Sequence, residues 1–445
     1  MGALHRPHAL HHVVRSGLTM TPLDTAEDVA SLLTDRLTAW LIGLVCFCII
    51  AVDGFDTATI AFVAPTLSKL WNLPHAALTP AFVMTSIGAV VGYMLSGTLA
   101  GRFGRRRVIS TGMIAFGALS IATAFAGNVA TISGTRLFTA ISLGCVLPAA
   151  ISYAADHAPA TARAAVTICV TTGLSVGTAF GGVLASQLLT RFGWASVFLA
   201  GGVLPIMLLP FALAVLRDEA DCEESSIRTR HRKTAPLHGI GVPSTGQQTA
   251  RLSNLWRAPF ATTTLLIWAI AFFVFLVTYQ FIFWIPTLLV SYGFSPASAA
   301  LGSSACAIGG ILANVALLPL VGRFGMHRLL IATACLAIAC IGALSLGVVD
   351  RALVLWLIGG IGAGITSGCV GQSTLAILAY PERLRTAGVG FAAAAGRVGA
   401  IVGPGLGGAL LSMNIPAQRI ITLCCIPIVL VVALLESARR STPRG

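Results

Sequence analysis

Four ionisable residues fall where water should be scarce. Asp53 and Asp56 lie in an apolar run near residues 37–62, Arg136 in one near 129–153, and Arg397 in one near 387–411. A charge at the centre of a membrane helix costs about 2.5–3.5 kcal/mol on insertion scales, so keeping four implies pairing, an aqueous cavity, or both. Asp53 and Asp56 are three apart and share a helix face. Two neighbouring carboxylates in a low dielectric repel, which favours holding a proton on at least one. They are the candidate proton-coupling residues. The alternative is an Asp–Arg pair that only fixes helix packing. A guanidinium matches a carboxylate in a planar, bidentate way and stacks on aromatic rings. Arg397 is therefore the candidate for binding a carboxylate, with Arg136 as the second choice and hydrogen bonding to carbonyls as the alternative. Tyr279, Gln280, Trp284 and Gln372 are candidates to line an aromatic pocket, although Trp284 also suits an interfacial stripe. None of the nine histidines lies deep in an apolar run, and no Cys or His set has zinc spacing. Neither a histidine proton relay nor a metal or cofactor is expected.

The elements that position these groups are membrane helices. Of 445 residues, 56% are hydrophobic and 10% are charged, and mean hydropathy is +0.89. An ordinary soluble domain carries about 25% charged residues. A soluble enzyme, a nucleic-acid-binding domain and a disordered chain are thereby excluded, and the exterior must face lipid. With 7% aromatics and no sustained alternation, an outer-membrane barrel does not fit. Ten of the eleven cysteines lie in apolar runs and read as small hydrophobes; Cys222 is the exception.

Apolar runs at about 37–62, 78–100, 106–127, 129–153, 164–189 and 195–216 form a first half, 37–216. Runs at about 259–290, 297–321, 328–349, 351–378, 387–411 and 417–436 form a second, 259–436. Between them lies a polar linker, 217–258, with a basic cluster from Arg228 to Lys233. The tails are 1–36 and 437–445. The first has four histidines and no signal-peptide pattern, and Met20 is a candidate start. This is an all-α membrane protein of twelve transmembrane helices. Loops after even-numbered runs hold 16 Lys or Arg against 4 after odd-numbered runs, which predicts both termini in the cytoplasm. At about 1.5 Å per residue, Asp56 and Arg136 lie roughly 9 and 10 Å below the outer face, Asp53 roughly 13 Å below it, and Arg397 roughly 15 Å above the inner one.

The two halves echo each other. Gly97-Thr-Leu-Ala-Gly-Arg-Phe-Gly-Arg-Arg-Arg107 follows the second run, and Leu318-Pro-Leu-Val-Gly-Arg-Phe-Gly-Met-His-Arg328 follows the eighth. Pro159-x-x-x-Arg163 and Pro381-x-x-x-Arg385 repeat in the same register. Parallel six-helix repeats place a binding site at their interface near the bilayer midplane. The Gly97–Arg107 segment resembles the loop signature of the major facilitator superfamily. Asp53-Gly-Phe-Asp56, the Arg136 segment, Trp284-Ile-Pro-Thr-Leu-Leu and Gly396-Arg-Val-Gly…Pro404 together resemble the aromatic acid:proton symporters of bacterial inner membranes.

That resemblance implies the major facilitator fold and proton-coupled import of an aromatic carboxylate by alternating access. It implies protons, the carboxylate and the lipid bilayer as partners, with no nucleic acid and no obligate protein partner. It also implies a gating role for Gly97, Gly101, Arg102, Gly104, Arg105, Arg106, Arg107, Gly322 and Arg323, although the arginines would anchor topology in any case. Gly101 departs from the Asp usual at that position, and Gly322 stands at its repeat. Arg163 and Arg385 are expected to cap helix ends. The rival readings are an importer of non-aromatic organic acids, an exporter, a membrane-embedded enzyme and a non-transporting sensor. The enzyme reading lacks a metal set, a nucleophile with a base, and a Walker loop.

Overall fold

The helices follow the apolar runs. The computed structural model describes residues 26–159, 162–216, 260–346, 350–380 and 382–441. The tail with Met20, the 217–258 linker with Cys222, and the side chain of Arg385 lie outside the described residues. Among the described residues every regular element is helical. The first half runs α1 (Ala26–Leu70), α2 (Thr79–Phe103), α3 (Arg105–Thr123), α4 (Val129–His157), α5 (Arg163–Arg191) and α6 (Ala195–Val215). The second runs α7 (Phe260–Val290), α8 (Ala300–Phe324), α9 (Met326–Ser345), α10 (Arg351–Ala379), α11 (Glu382–Ser412), α12 (Ala417–Leu423) and α13 (Cys425–Ser441).

Counting α12 and α13 as one, eleven of these spans are long and apolar enough to cross a membrane. The twelfth is α3, which begins with three arginines that lower its hydropathy. The structure differs from the expected runs in two places. The 45-residue α1 extends past the apolar run at both ends and continues through Pro65. The last run breaks at Cys424, because Pro427 has no N–H to offer the Leu423 carbonyl.

Side chains cap the starts of α4 and α10. The Asn128 side chain accepts from the Thr131 N–H at 2.8 Å, and Asp350 accepts from Ala352 N–H at 3.0 Å. The chain passes from α2 to α3 at Gly104 (φ 83°) and from α8 to α9 at Gly325 (φ 76°). Glycine adopts this left-handed backbone at no steric cost. The repeated loop therefore has one geometry in both halves.

Three clusters of buried side chains show how the halves meet. On the side remote from these two turns, one core joins both halves. It includes Phe62 and Phe82 from the first half and Phe283 and Trp284 from the second. Phe82 stacks on Phe283 at 5.1 Å and meets Trp284 edge-on at 4.8 Å. On the turn side each half keeps its own core. One contains Ile49, Met113 and Tyr153; the other contains Ile270, Leu330 and Leu435.

Candidate functional site

Asp56 and Arg136 meet at one level, as their depths predict. Arg136 Nη1 lies 2.9 Å from Asp56 Oδ2, and both side chains are fully buried. Arg136 Nη2 donates to the Asp56 carbonyl at 3.0 Å. The second carboxylate oxygen, Oδ1, accepts from the Ser120 hydroxyl at 2.7 Å. α6 closes the group at Gly201, where a Cβ would stand 2.9 Å from Asp56 Oδ1 and 3.1 Å from Ser120 Oγ. The pair thus ties α1, α3, α4 and α6 together. Both carboxylate oxygens have partners, which is what a charge held in low dielectric requires.

One turn earlier, Asp53 has different surroundings. It is buried and accepts from the Thr57 hydroxyl at 3.0 Å. It makes no ion pair among the described residues. It borders a small cavity of about 40 Å³ with Thr85, Ser86, Tyr93 and Tyr279.

Arg397 borders a larger cavity of about 390 Å³, built from both halves. α2 contributes Tyr93, α5 contributes Thr178, α7 contributes Phe275 and Tyr279, and α8 contributes Ser303. The Arg397 guanidinium lies 3.9 Å from the Tyr93 ring centroid and 5.8 Å from that of Phe275. Its Nη1 donates to the Tyr279 hydroxyl at 3.4 Å. Among the described residues no carboxylate pairs with it. Aromatic faces hold a guanidinium by cation–π attraction and leave its donor fork for an anion. α11 comes close enough to α7 to deliver Arg397 because Gly399 and Gly403 lie against backbone; a Cβ there would stand 2.1 Å from the Phe272 carbonyl and 2.3 Å from that of Leu276. Tyr93 and Tyr279 line both cavities, so they form the wall between Asp53 and the Arg397 chamber.

The other pocket candidates lie elsewhere. Trp284 is buried in the joint core and its indole N–H donates to the Pro404 carbonyl at 2.9 Å. Gln280 and Gln372 are buried and do not line the large cavity. Gln372 Nε2 donates to Ser373 Oγ at 2.8 Å, while its Oε1 has no partner among the described residues. Sequence reasoning missed Tyr93, Phe275 and Ser303. Tyr93 is one of only five tyrosines and stands in an apolar run, which was a usable signal. Phe275 sits among neighbouring phenylalanines and carried none.

The Major Facilitator Superfamily model matches residues 46–379. The chain belongs to this superfamily. It is therefore a multi-pass membrane transporter and not an enzyme. A gallate transporter of Pseudomonas putida is 32% identical, over 91% of this chain and 94% of its own. A 4-hydroxybenzoate transporter of Pseudomonas aeruginosa is 32% identical, over 88% and 91%. A 3-(3-hydroxy-phenyl)propionate transporter of Escherichia coli is 31% identical, over 84% and 87%. Among solved structures, a D-xylose-proton symporter aligns with a TM-score of 0.69 at 16% identity, covering 89% of this chain and 97% of its own. A bacterial homologue of the human lysosomal transporter Spinster, inward-facing and unoccupied, aligns at 0.67 and 18% identity, covering 91% and 97%. These two likenesses concern the fold alone.

The superfamily loop is tied within its own half of the transporter. Arg105 pairs with Asp156 near the end of α4, and Arg106 Nη2 donates to the Leu213 carbonyl near the end of α6 at 3.0 Å. Arg102 lies over Phe103 at 5.4 Å. Arg107 and Arg323 are exposed. Arg163 Nε donates to the Ala155 carbonyl at 3.0 Å, capping the last turn of α4. A Cβ at Gly97, Gly101 or Gly322 would meet nothing within 4 Å. The departure at Gly101 is therefore not forced by packing.

Proposed function

We propose that this transporter imports an aromatic carboxylic acid together with protons across the bacterial inner membrane. One observation carries the reading. A half-buried guanidinium with no carboxylate partner among the described residues is held on aromatic rings at a cavity between the two halves. The substrate carboxylate takes the Arg397 fork, and the ring packs against Tyr93, Phe275 and Tyr279. The names of the relatives support an aromatic acid as cargo.

The proton role falls to Asp53. Asp56 already has Arg136 and Ser120 on its two oxygens, whereas Asp53 has one hydroxyl and a cavity. Substrate anion on Arg397 and a proton on Asp53 neutralise both charges, so the loaded carrier reorients without dragging net charge through lipid. One proton per monoanion moves no net charge, and the pH gradient alone drives uptake. A second proton would add about 2.3 kcal/mol per 100 mV of membrane potential.

The halves 37–216 and 259–436 rock about the cavity. The arginines around Gly104 and Gly325 support a cytoplasmic location for that side and for both termini. The separate cores on that side then describe a carrier open inward, at the release step.

The test is uptake into proteoliposomes of labelled benzoate, 4-hydroxybenzoate, gallate, protocatechuate, gentisate and 3-hydroxyphenylpropionate, with and without an inward proton gradient. Gradient-dependent accumulation of at least one is expected. Accumulation of non-aromatic acids alone would overturn the reading.

A further inference from the structure

The large cavity holds two hydroxyl groups that the carboxylate chemistry does not use. Thr171, Leu174, Ser175 and Thr178 form the stripe of α5 that lines it, at i, i+3, i+4 and i+7. Thr171 donates to the Thr167 carbonyl and Thr178 to that of Leu174, each within α5. Ser175 lies between them, and its Oγ makes no hydrogen bond among the described residues. Unlike Ser303 Oγ in the same wall, it is not sealed from the cavity. Thr366 of α10 is in the same condition, whereas Thr278 of α7 donates to the Val274 carbonyl. Ser175 and Thr366 are half-buried, so a ligand in the cavity can reach each hydroxyl.

The two hydroxyls stand level with Arg397 and across the cavity from it. Leu174, beside Ser175, borders the small cavity together with Tyr93 and Tyr279, which both contact Arg397. Thr278 Oγ1, beside Tyr279, lies 3.5 Å from the Ile365 carbonyl and 3.3 Å from Cys369 Sγ, which brings Thr366 to the same height. Laterally the halves meet in a row, α2 against α11, α1 against α7 and α5 against α8. Arg397 stands at the α2–α11 end, on Tyr93. The hydroxyls stand at the other end, around α8. Thr366 abuts Gly310, where a Cβ would lie 2.6 Å from its Oγ1. Ser175 is one turn inward of Ala179, whose carbonyl accepts from the Ser304 hydroxyl at 2.6 Å. The ends of the row are two helix packings apart, about 16–20 Å between axes. A carboxylate bonded to Arg397, a benzene ring, a para hydroxyl and its hydrogen bond cover about 12 Å of this, and the protein side chains span the rest.

We propose that Ser175 and Thr366 form a hydroxyl-recognising end of the substrate site. They bond a ring hydroxyl at the meta or para position and so favour such acids over benzoate and over 2-hydroxybenzoate. This rests on the aromatic-acid reading above. An ortho hydroxyl stays at the Arg397 end, and benzoate offers the two protein hydroxyls no partner. Sites that hydrogen-bond a substrate hydroxyl discriminate strongly against analogues lacking it. Ser175 belongs to the first half and Arg397 to the second, so a hydroxylated acid also ties the two halves together.

The experiment measures KM and maximal rate for uptake of benzoate, 2-hydroxybenzoate and 4-hydroxybenzoate by the wild type, Ser175→Ala, Thr366→Val and the double variant. The wild type should have its lowest KM for 4-hydroxybenzoate. Each single variant should raise that KM about fivefold and leave that of benzoate within about twofold. The double variant should take up 4-hydroxybenzoate no better than benzoate. Thr366→Ser, which keeps the hydroxyl, should retain the preference. Retained benzoate uptake shows that the variants fold. A wild type without the preference, or a double variant that keeps it or shifts all three acids alike, overturns the hydroxyl site and leaves the aromatic-acid reading standing. Uptake of non-aromatic acids alone by the wild type overturns both.

Discussion

Two acid–base sets lie one helical turn apart on α1, built from the same residue types. In one, Asp56 and Arg136 face each other at 2.9 Å, fully buried, with Ser120 completing the carboxylate and Gly201 leaving room for both. In the other, Asp53 and Arg397 are held apart, each against the same two tyrosines and each bordering a cavity. The first set pairs its two charges with each other and can hold helices together. The second has charges with no ion-pair partner among the described residues, and those are the ones that a proton and an anion can neutralise. Residue type and depth do not distinguish the sets. Partners from other helices do.

The largest effect expected from breaking this contrast is on stability. Arg136→Ala leaves Asp56 charged and unpaired, and should cost about 3–5 kcal/mol. Thermal unfolding in detergent would read it, and replacing both partners by apolar residues should cost less than removing one. Arg397→Ala should do the reverse. Unfolding temperature should stay near that of the wild type, while substrate affinity drops by about 2–5 kcal/mol in equilibrium binding. Gly201→Ala should lower stability by about 1–3 kcal/mol through overpacking against Asp56 and Ser120, with transport by the surviving protein retained. The smallest effect is at the loop. Gly101→Asp enters open space and should change stability by less than about 0.5 kcal/mol, so any change in uptake rate it brings would report on gating.

Much of this architecture was legible in the chain. Apolar runs gave the helices, the Gly97–Arg107 and Leu318–Arg328 echo gave the repeat, and counting residues along α1 and α4 brought Asp56 level with Arg136. What the sequence did not carry is lateral. Asp53 and Asp56 look equivalent until Ser120, which is 64 positions along the chain from Asp56, bonds one and not the other. Trp284 reads as an interfacial or pocket aromatic until its indole finds the Pro404 carbonyl on α11. Tyr93 is a rare tyrosine in an apolar run, but its place beside Arg397 shows only where α2 and α11 converge on the same chamber. Which side of the molecule shares a core is a property of one conformational state, and a sequence that must support two states cannot display it.

The most direct test of the account concerns the two aspartates. Proteoliposomes with Asp53→Asn should be assayed for accumulation under an inward proton gradient, and separately for exchange of internal against external substrate with no gradient. Loss of accumulation with exchange preserved is expected, because the carrier still binds and reorients but no longer titrates. Full gradient-driven accumulation by Asp53→Asn would contradict it and move the proton to another residue.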